Sequence, residues 1–91
     1  MLFDSIGKAV LQGRYVVSQH AAERLEVRGV LEWQVVDGIE HAQLLTERPN
    51  DQPNPSIEVE QVLADGTRIK VIWSHIISVD IAKLVTVHYL E

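Results

Sequence analysis

The sequence contains no cysteine. This absence excludes disulfides, thiolate nucleophiles and cysteine-based metal sites, and it is typical of a reducing compartment. No stretch approaches the roughly 18 consecutive apolar residues that a membrane-spanning helix requires. Residues 1–13 lack the basic start and long apolar run of a secretory signal, since Asp4 and Lys8 interrupt their apolar pattern. We therefore expect a cytoplasmic protein that does not associate with a membrane.

Basic residues are scarce, with 8 Lys and Arg against 13 Asp and Glu and a net charge of −5. Binding of nucleic acid over a broad surface needs a basic footprint, which this balance disfavours. The charge is unevenly distributed, however. Residues 1–30 carry a local charge of +1, whereas residues 31–91 carry −6. Any anion site is therefore expected in the first third of the chain.

Apolar residues make up 46% of the chain and charged residues 23%, a balance typical of a folded protein. A length of 91 residues fits one domain, residues 1–91, with a single core. We find no internal repeat and no linker.

Hydrophobic periodicity predicts three helices. Ser18 is a good N-cap for the second helix, and Gly29 can end it in the left-handed conformation. Gly38 weakens the third helix and suggests a close helix contact at that position. The predicted helices cover residues 2–12, 19–28 and 30–42.

β-Branched and alternating segments predict a small sheet in the rest of the chain. Three prolines between residues 48 and 55 predict a surface loop. Residues 75–83 fit either an extension of the sheet or an irregular crossing. The predicted fold class is α+β, with a short N-terminal helix, two packed helices and an antiparallel sheet of about four strands. The candidate strands are residues 14–17, 43–46, 56–64, 67–73 and 84–90.

The turn at Asp65-Gly66 fixes the register of a hairpin. A two-residue turn would place Arg68 and Lys70 on the same face as apolar residues of the preceding strand, which buries poorly. A three-residue loop instead pairs Leu63 with Thr67 and sets Glu60 opposite Lys70. That register gathers the apolar side chains on one face: Ile57, Val59, Leu63, Ile69, Val71 and Trp73.

Three side chains at four-residue spacing, His20, Arg24 and Arg28, form a stripe along one edge of the second helix. An imidazole beside two guanidiniums suits phosphate chemistry, because the imidazole transfers a proton while the guanidiniums bind the anion. Spacing alone also fits a structural role, in which the arginines cover the edge of the core or pair with carboxylates.

Two further residues are weaker candidates. His88 on the last strand could reach the rim of a site, sharing its face with Thr86 if Val85, Val87 and Tyr89 point inward. Lys70 could bind an anion, although the predicted register gives it Glu60 as a partner. The four histidines show no metal-binding spacing, so we predict neither a metal nor another cofactor.

Several short motifs occur in a characteristic order along residues 13–89. The motifs are Ser18-x-His20-Ala21-x-x-Arg24 with Arg28-Gly29, then Pro53-x-Pro55-Ser56, Asp65-Gly66 and Val85-Thr86-Val87. Together they resemble the bacterial family called domain of unknown function 4258. The resemblance implies an α+β fold like that of the RelE and BrnT toxin ribonucleases. Those toxins cleave RNA without a metal and are held inactive by an antitoxin.

The sequence departs from the family at three positions. Members often have His where Lys70 stands, Tyr where His88 stands, and a capping Ser or Thr where Leu31 stands. The acidic balance and the absence of the family Tyr at His88 favour a non-catalytic interaction module that binds an antitoxin-like protein or a second copy of itself. The alternative is a metal-independent, toxin-like endoribonuclease acting on RNA. In that case His20 and His88 are catalytic, and Arg24, Arg28 and Lys70 bind the phosphate.

Overall fold

The computed structural model describes residues 1–90, which form three α-helices and five β-strands. Two 3₁₀ turns, Ile39–His41 and Ile77–Val79, join elements. No helix within the described residues is long and apolar enough to cross a membrane. The elements in chain order are α1 (Leu2–Leu11), β1 (Tyr15–Val17), α2 (Gln19–Arg28), α3 (Glu32–Gly38), β2 (Gln43–Arg48), β3 (Ser56–Val62), β4 (Arg68–Ile76) and β5 (Ile81–Tyr89).

The predicted ends of α2 are confirmed. The Ala21 backbone N–H donates to Ser18 Oγ at 3.0 Å, and Gly29 adopts the left-handed conformation with φ 66°. In contrast, α3 is shorter than predicted, because the chain tightens into a 3₁₀ turn after Gly38. Leu31 has no side-chain acceptor for the first turn of α3, and Gln34 Oε1 accepts from the Leu31 backbone N–H at 2.9 Å instead.

The sheet has the strand order β1-β5-β4-β3-β2, and β1 runs parallel to β5 while the other neighbours are antiparallel. The predicted antiparallel sheet of about four strands is therefore wrong in strand number and in direction at one edge. β1 has only three residues, and it pairs with Ala82–Leu84, far along the chain. Local propensity carries no information about such a remote partner.

The predicted hairpin register between β3 and β4 is confirmed. The Leu63 backbone N–H donates to Thr67 O at 2.8 Å, and Gly66 has φ 87°. Glu60 lies opposite Lys70 in the ladder. The apolar side chains share a face that the helices cover, and those fully buried are Ile57, Val59, Ile69, Val71 and Trp73.

Residues 75–83 combine both predicted alternatives. β4 continues to Ile76, and β5 begins at Ile81 after a single 3₁₀ turn. Asp80 closes this turn in the left-handed conformation, with φ 53°. Its carboxylate accepts from Arg14 Nη1 at 2.7 Å and lies 2.8 Å from His75 Nε2. These bonds fasten the turn to the start of β1.

The core lies between α1, α3 and one face of the sheet, while α2 packs along β5. Side chains that alternate with the core residues of β3, β4 and β5 point to the other face, which we call the open face. The open face carries polar and charged residues, among them Glu58, Lys70, Ser74, Lys83 and His88.

Gly38 is required by a close contact with the sheet rather than with another helix. A Cβ atom at this position would clash with Nε2 of Gln61, a buried β3 residue that donates to Val35 O at 3.1 Å. Gly38→Ala is expected to destabilise the fold by about 1–3 kcal/mol, because the Gln61 amide must leave its acceptor. Urea unfolding followed by circular dichroism measures this change.

Gly7→Ala is the matched control for Gly38→Ala. Gly7 lies within α1, and a Cβ atom there would meet nothing within 4 Å. This change should stabilise the protein by about 0.5–1 kcal/mol, because alanine loses less backbone entropy in a helix. Equal effects of the two substitutions would contradict the role assigned to the Gly38–Gln61 contact.

Candidate functional site

Helix α2 and strands β4 and β5 bring together all five residues singled out from the sequence. His20 Nε2 lies 3.1 Å from Thr86 Oγ1 on β5, and Arg28 Nε donates to Val87 O at 3.0 Å. Lys70 stands directly opposite His88 in the β4–β5 ladder. We call this group the basic cluster: His20, Arg24, Arg28, Lys70 and His88.

The other four members of the basic cluster act on the charge of His88. Partial burial lowers the pKa of His88, and the positive charges of Lys70, Arg28, His20 and Arg24 lower it further, in that order. Both causes disfavour the imidazolium form. His88 is therefore held neutral among cations, the state in which an imidazole accepts a proton.

The ion pairs at the margin of the basic cluster differ from the prediction. Lys70 Nζ lies 3.5 Å from Glu58 Oε1, while the predicted partner Glu60 accepts from Arg68 at 2.9 and 3.0 Å. The prediction failed because a long side chain reaches a diagonal neighbour as readily as the residue directly opposite, and Arg68 binds Glu60 through two nitrogens.

Glu58 pairs with Arg48 as well as with Lys70. Burial raises the pKa of Glu58, but the two cations outweigh it and the net shift is downward.

The two arginines of the basic cluster differ in their contacts. Arg28 is partly engaged: its guanidinium lies 5.4 Å from the centre of the Tyr89 ring, and the Tyr89 hydroxyl donates to Arg28 O. Arg24 pairs with no carboxylate of residues 1–90, and its buried Nε has no hydrogen-bond partner there. Of the two structural roles foreseen for Arg24, covering the core edge and pairing with a carboxylate, the described residues do not show the second.

A cavity of about 410 Å³ adjoins the basic cluster on the open face. The proline loop, residues 49–55, forms one wall, and the start of α2 forms the other. Of the basic cluster, only His20 lines it. The remaining lining residues are Ser18, Asp51, Gln52, Pro53, Asn54, Ser56, Ile72, Ser74, Lys83 and Val85.

Residues 17–88 match the family described as Domain of unknown function (DUF4258). This range spans well over half of the 91 residues. The chain belongs to the DUF4258 family. The match runs from the end of β1 to His88 and so contains the whole basic cluster of this DUF4258 domain. No curated protein and no solved structure matches the chain significantly.

The cavity of the DUF4258 domain was not predicted, because a bulge in β5 changes which residues face it. Ile72 pairs with Thr86 and Trp73 pairs with Leu84, so Val85 is an extra residue in the ladder. Leu84 and Val87 are both fully buried, whereas Val85 lines the cavity. The assumed inward direction of Val85 is therefore wrong. The signal for this bulge in the sequence is the spacing of Leu84 and Val87, which are three positions apart, whereas core residues of a regular strand are two apart.

Lys83 is the charged residue that sequence reasoning missed. It borders the cavity opposite the proline loop, and no carboxylate of residues 1–90 pairs with it. The described part of the chain also holds no group of three or more His, Cys, Asp or Glu side chains arranged to bind a metal ion.

The low pKa of His88 gives a titration that can be measured. By NMR, the His88 imidazole should titrate below its ordinary value of 6.5, since the folded state disfavours the charged form. Lys70→Met should raise the His88 midpoint toward 6.5 by removing the largest of the four charge effects.

Lys83→Met is the control for this titration, because Lys83 is not among the charges that act on His88. It should leave the His88 midpoint unchanged. A wild-type midpoint at or above 6.5 would show that His88 is not held neutral by burial and its cationic neighbours.

Proposed function

We propose that the DUF4258 domain binds a phosphodiester group of RNA at the basic cluster and cleaves the strand without a metal. The observation that carries this proposal is the grouping of His88 with a second imidazole, His20, and with three cations, of which the Arg24 guanidinium is paired to no carboxylate of residues 1–90. An anion held there gains charge-assisted hydrogen bonds, which are stronger than hydrogen bonds between neutral groups. The proposal includes a fold relationship to the RelE and BrnT toxin ribonucleases, in line with the resemblance of the motifs.

The proposed reaction is an attack by the ribose 2′-oxygen on the neighbouring phosphorus. Neutral His88 takes the proton of the 2′-hydroxyl, and the P–O bond to the 5′-oxygen of the next nucleotide breaks. His20 acts as the general acid and donates a proton to that leaving oxygen. Arg24 and Lys70 stabilise the negative charge that builds on the phosphate in the transition state. The products are a 2′,3′-cyclic phosphate and a 5′-hydroxyl end.

A second candidate function, a non-catalytic interaction module, is favoured by one separate observation. Trp33 is 61% exposed and Val62 is 63% exposed, and both border a small cleft at the start of α3. Exposed tryptophan is typical of residues that dominate binding at protein interfaces. In this case the partner is an antitoxin-like protein or a second copy of the chain.

Inducing the protein in a bacterial host while following growth and total RNA distinguishes the two functions. The ribonuclease should arrest growth and fragment RNA, whereas the interaction module should do neither. With purified protein in excess EDTA, an oligoribonucleotide should yield cyclic-phosphate ends, and the same sequence with 2′-deoxyribose should stay intact. Intact RNA in both settings, from a protein that circular dichroism shows to be folded, would contradict the proposal.

A further inference from the structure

We propose that the cavity between the proline loop and α2 is a nucleobase subsite, which holds the base of the nucleotide attached to the phosphate at the basic cluster. This inference rests on the proposed function and extends it, because it names the base as the part of the RNA that the protein recognises. The ligand it requires is a single-stranded, unstacked base.

The position of the cavity is the first argument. His20 lines the cavity and also bonds to Thr86 within the basic cluster. A ligand that fills the cavity and contacts His20 is therefore next to the group proposed to protonate the leaving oxygen. In a nucleotide, base and phosphate are joined through one ribose, so a strand bound at the basic cluster can turn its base into this cavity.

The lining of the cavity suits a base. Ile72, Val85 and Pro53 supply apolar surface for the faces of a flat ring, and the Asn54 amide offers both a donor and an acceptor to its edge. The volume of about 410 Å³ falls in the range of about 300–1,000 Å³ that small-molecule sites occupy. Proteins that recognise single-stranded RNA stack splayed bases on aromatic or guanidinium planes and form hydrogen bonds to their edges. His20 is the aromatic ring at this cavity.

The wall formed by the proline loop is fastened to the sheet. Ser56 Oγ donates to Asp51 Oδ2 at 2.7 Å, and the His75 backbone N–H donates to Pro55 O at 2.9 Å. A fixed wall lowers the entropy lost when a ligand binds.

Lys83 gives the cavity a place for a second phosphate of the strand. Lys83 stands at the cavity without a carboxylate partner among residues 1–90, and Asp51 is engaged by Ser56. A strand whose second phosphate lies at the cavity gains from the positive charge of Lys83.

The test measures binding of two labelled, uncleavable 2′-O-methyl hexanucleotides by fluorescence anisotropy. One strand is intact, and the other has the same backbone without bases. The wild-type protein should bind the intact strand at least tenfold more tightly than the strand without bases.

Two substitutions test the cavity itself: Ile72→Trp fills it, and Asn54→Ala removes the amide that bonds to the edge of the base. Ile72→Trp should reduce the tenfold preference to below twofold, and Asn54→Ala should reduce it at least threefold. Both should leave affinity for the abasic strand within twofold of wild type.

Asn50→Ala is the matched control, since Asn50 is an exposed residue of the same loop that does not line the cavity. Asn50→Ala should keep the preference of at least tenfold for the intact strand over the strand without bases. Equal binding of the intact and abasic strands by wild type would overturn the base subsite while leaving the proposed phosphate site in place. Failure of folded wild-type protein to bind either strand would contradict the proposed function and the subsite together. An unchanged preference in both Ile72→Trp and Asn54→Ala would place the base elsewhere.

Discussion

His20→Ala is expected to lower the rate of RNA cleavage by the purified protein at least a hundredfold, with little loss of stability. General acid catalysis by a positioned side chain contributes about 10²–10⁴ to a rate, and no other side chain of the basic cluster lies at the cavity. His20 is exposed, and its one hydrogen bond joins it to Thr86, so the cost in stability should stay near or below about 1 kcal/mol. Cleavage of a labelled oligoribonucleotide and urea unfolding measure the two effects.

His41→Ala serves as the control for His20→Ala, because His41 is also exposed and lies in the 3₁₀ turn after α3, outside the basic cluster. It should keep the wild-type rate. His88→Ala should lose as much activity as His20→Ala and should abolish the rise in rate as His88 deprotonates with increasing pH. A stably folded His20→Ala variant with full activity would remove His20 from the mechanism.

The largest effect on stability is expected from Trp73→Ala. Trp73 is fully buried on the core face of β4, and its ring meets that of Tyr15 edge-on at 6.1 Å between centroids. Truncating a buried tryptophan removes its apolar contacts and leaves a cavity, which costs about 3–5 kcal/mol. Small domains typically have about 5–15 kcal/mol of stability, so this variant should unfold at a much lower urea concentration.

Trp33→Ala provides an internal comparison, since Trp33 is the other tryptophan of the chain and is 61% exposed. Its replacement should change the free energy of unfolding by no more than about 0.5 kcal/mol. Circular dichroism follows both variants without relying on tryptophan fluorescence. Similar losses from the two substitutions would contradict the burial that the structure assigns to each ring.

Local sequence signals predicted the parts of the fold that nearby residues determine. Ser18 and Gly29 set the ends of α2 because capping depends on groups within one helical turn. The hairpin register followed from Gly66 and from the need to bury one face of β3 and β4. The parallel pairing of β1 with β5 depends on residues more than sixty positions apart, and no local rule specifies it.

The candidate site likewise combines features that nearby residues determine with features that depend on remote ones. Helical periodicity is sufficient to place His20, Arg24 and Arg28 along one edge of α2. The meeting of Lys70 with His88 depends on the register between β4 and β5, which the bulge at Val85 resets. The cavity depends on where the proline loop packs against the open face, and loop composition alone does not determine that position.

The packing of α2 against β5 also protects one edge of the sheet from pairing with other chains. β1 covers only Ala82–Leu84 of β5, which leaves the rest of that edge without a neighbouring strand. Ser18 Oγ donates to Val85 O and Arg28 Nε donates to Val87 O, so side chains at the two ends of α2 occupy backbone acceptors that would otherwise be open. An uncovered strand edge is a template for aggregation. Variants that loosen α2 should therefore form intermolecular β-structure, because the helix that carries His20, Arg24 and Arg28 also covers this edge of β5.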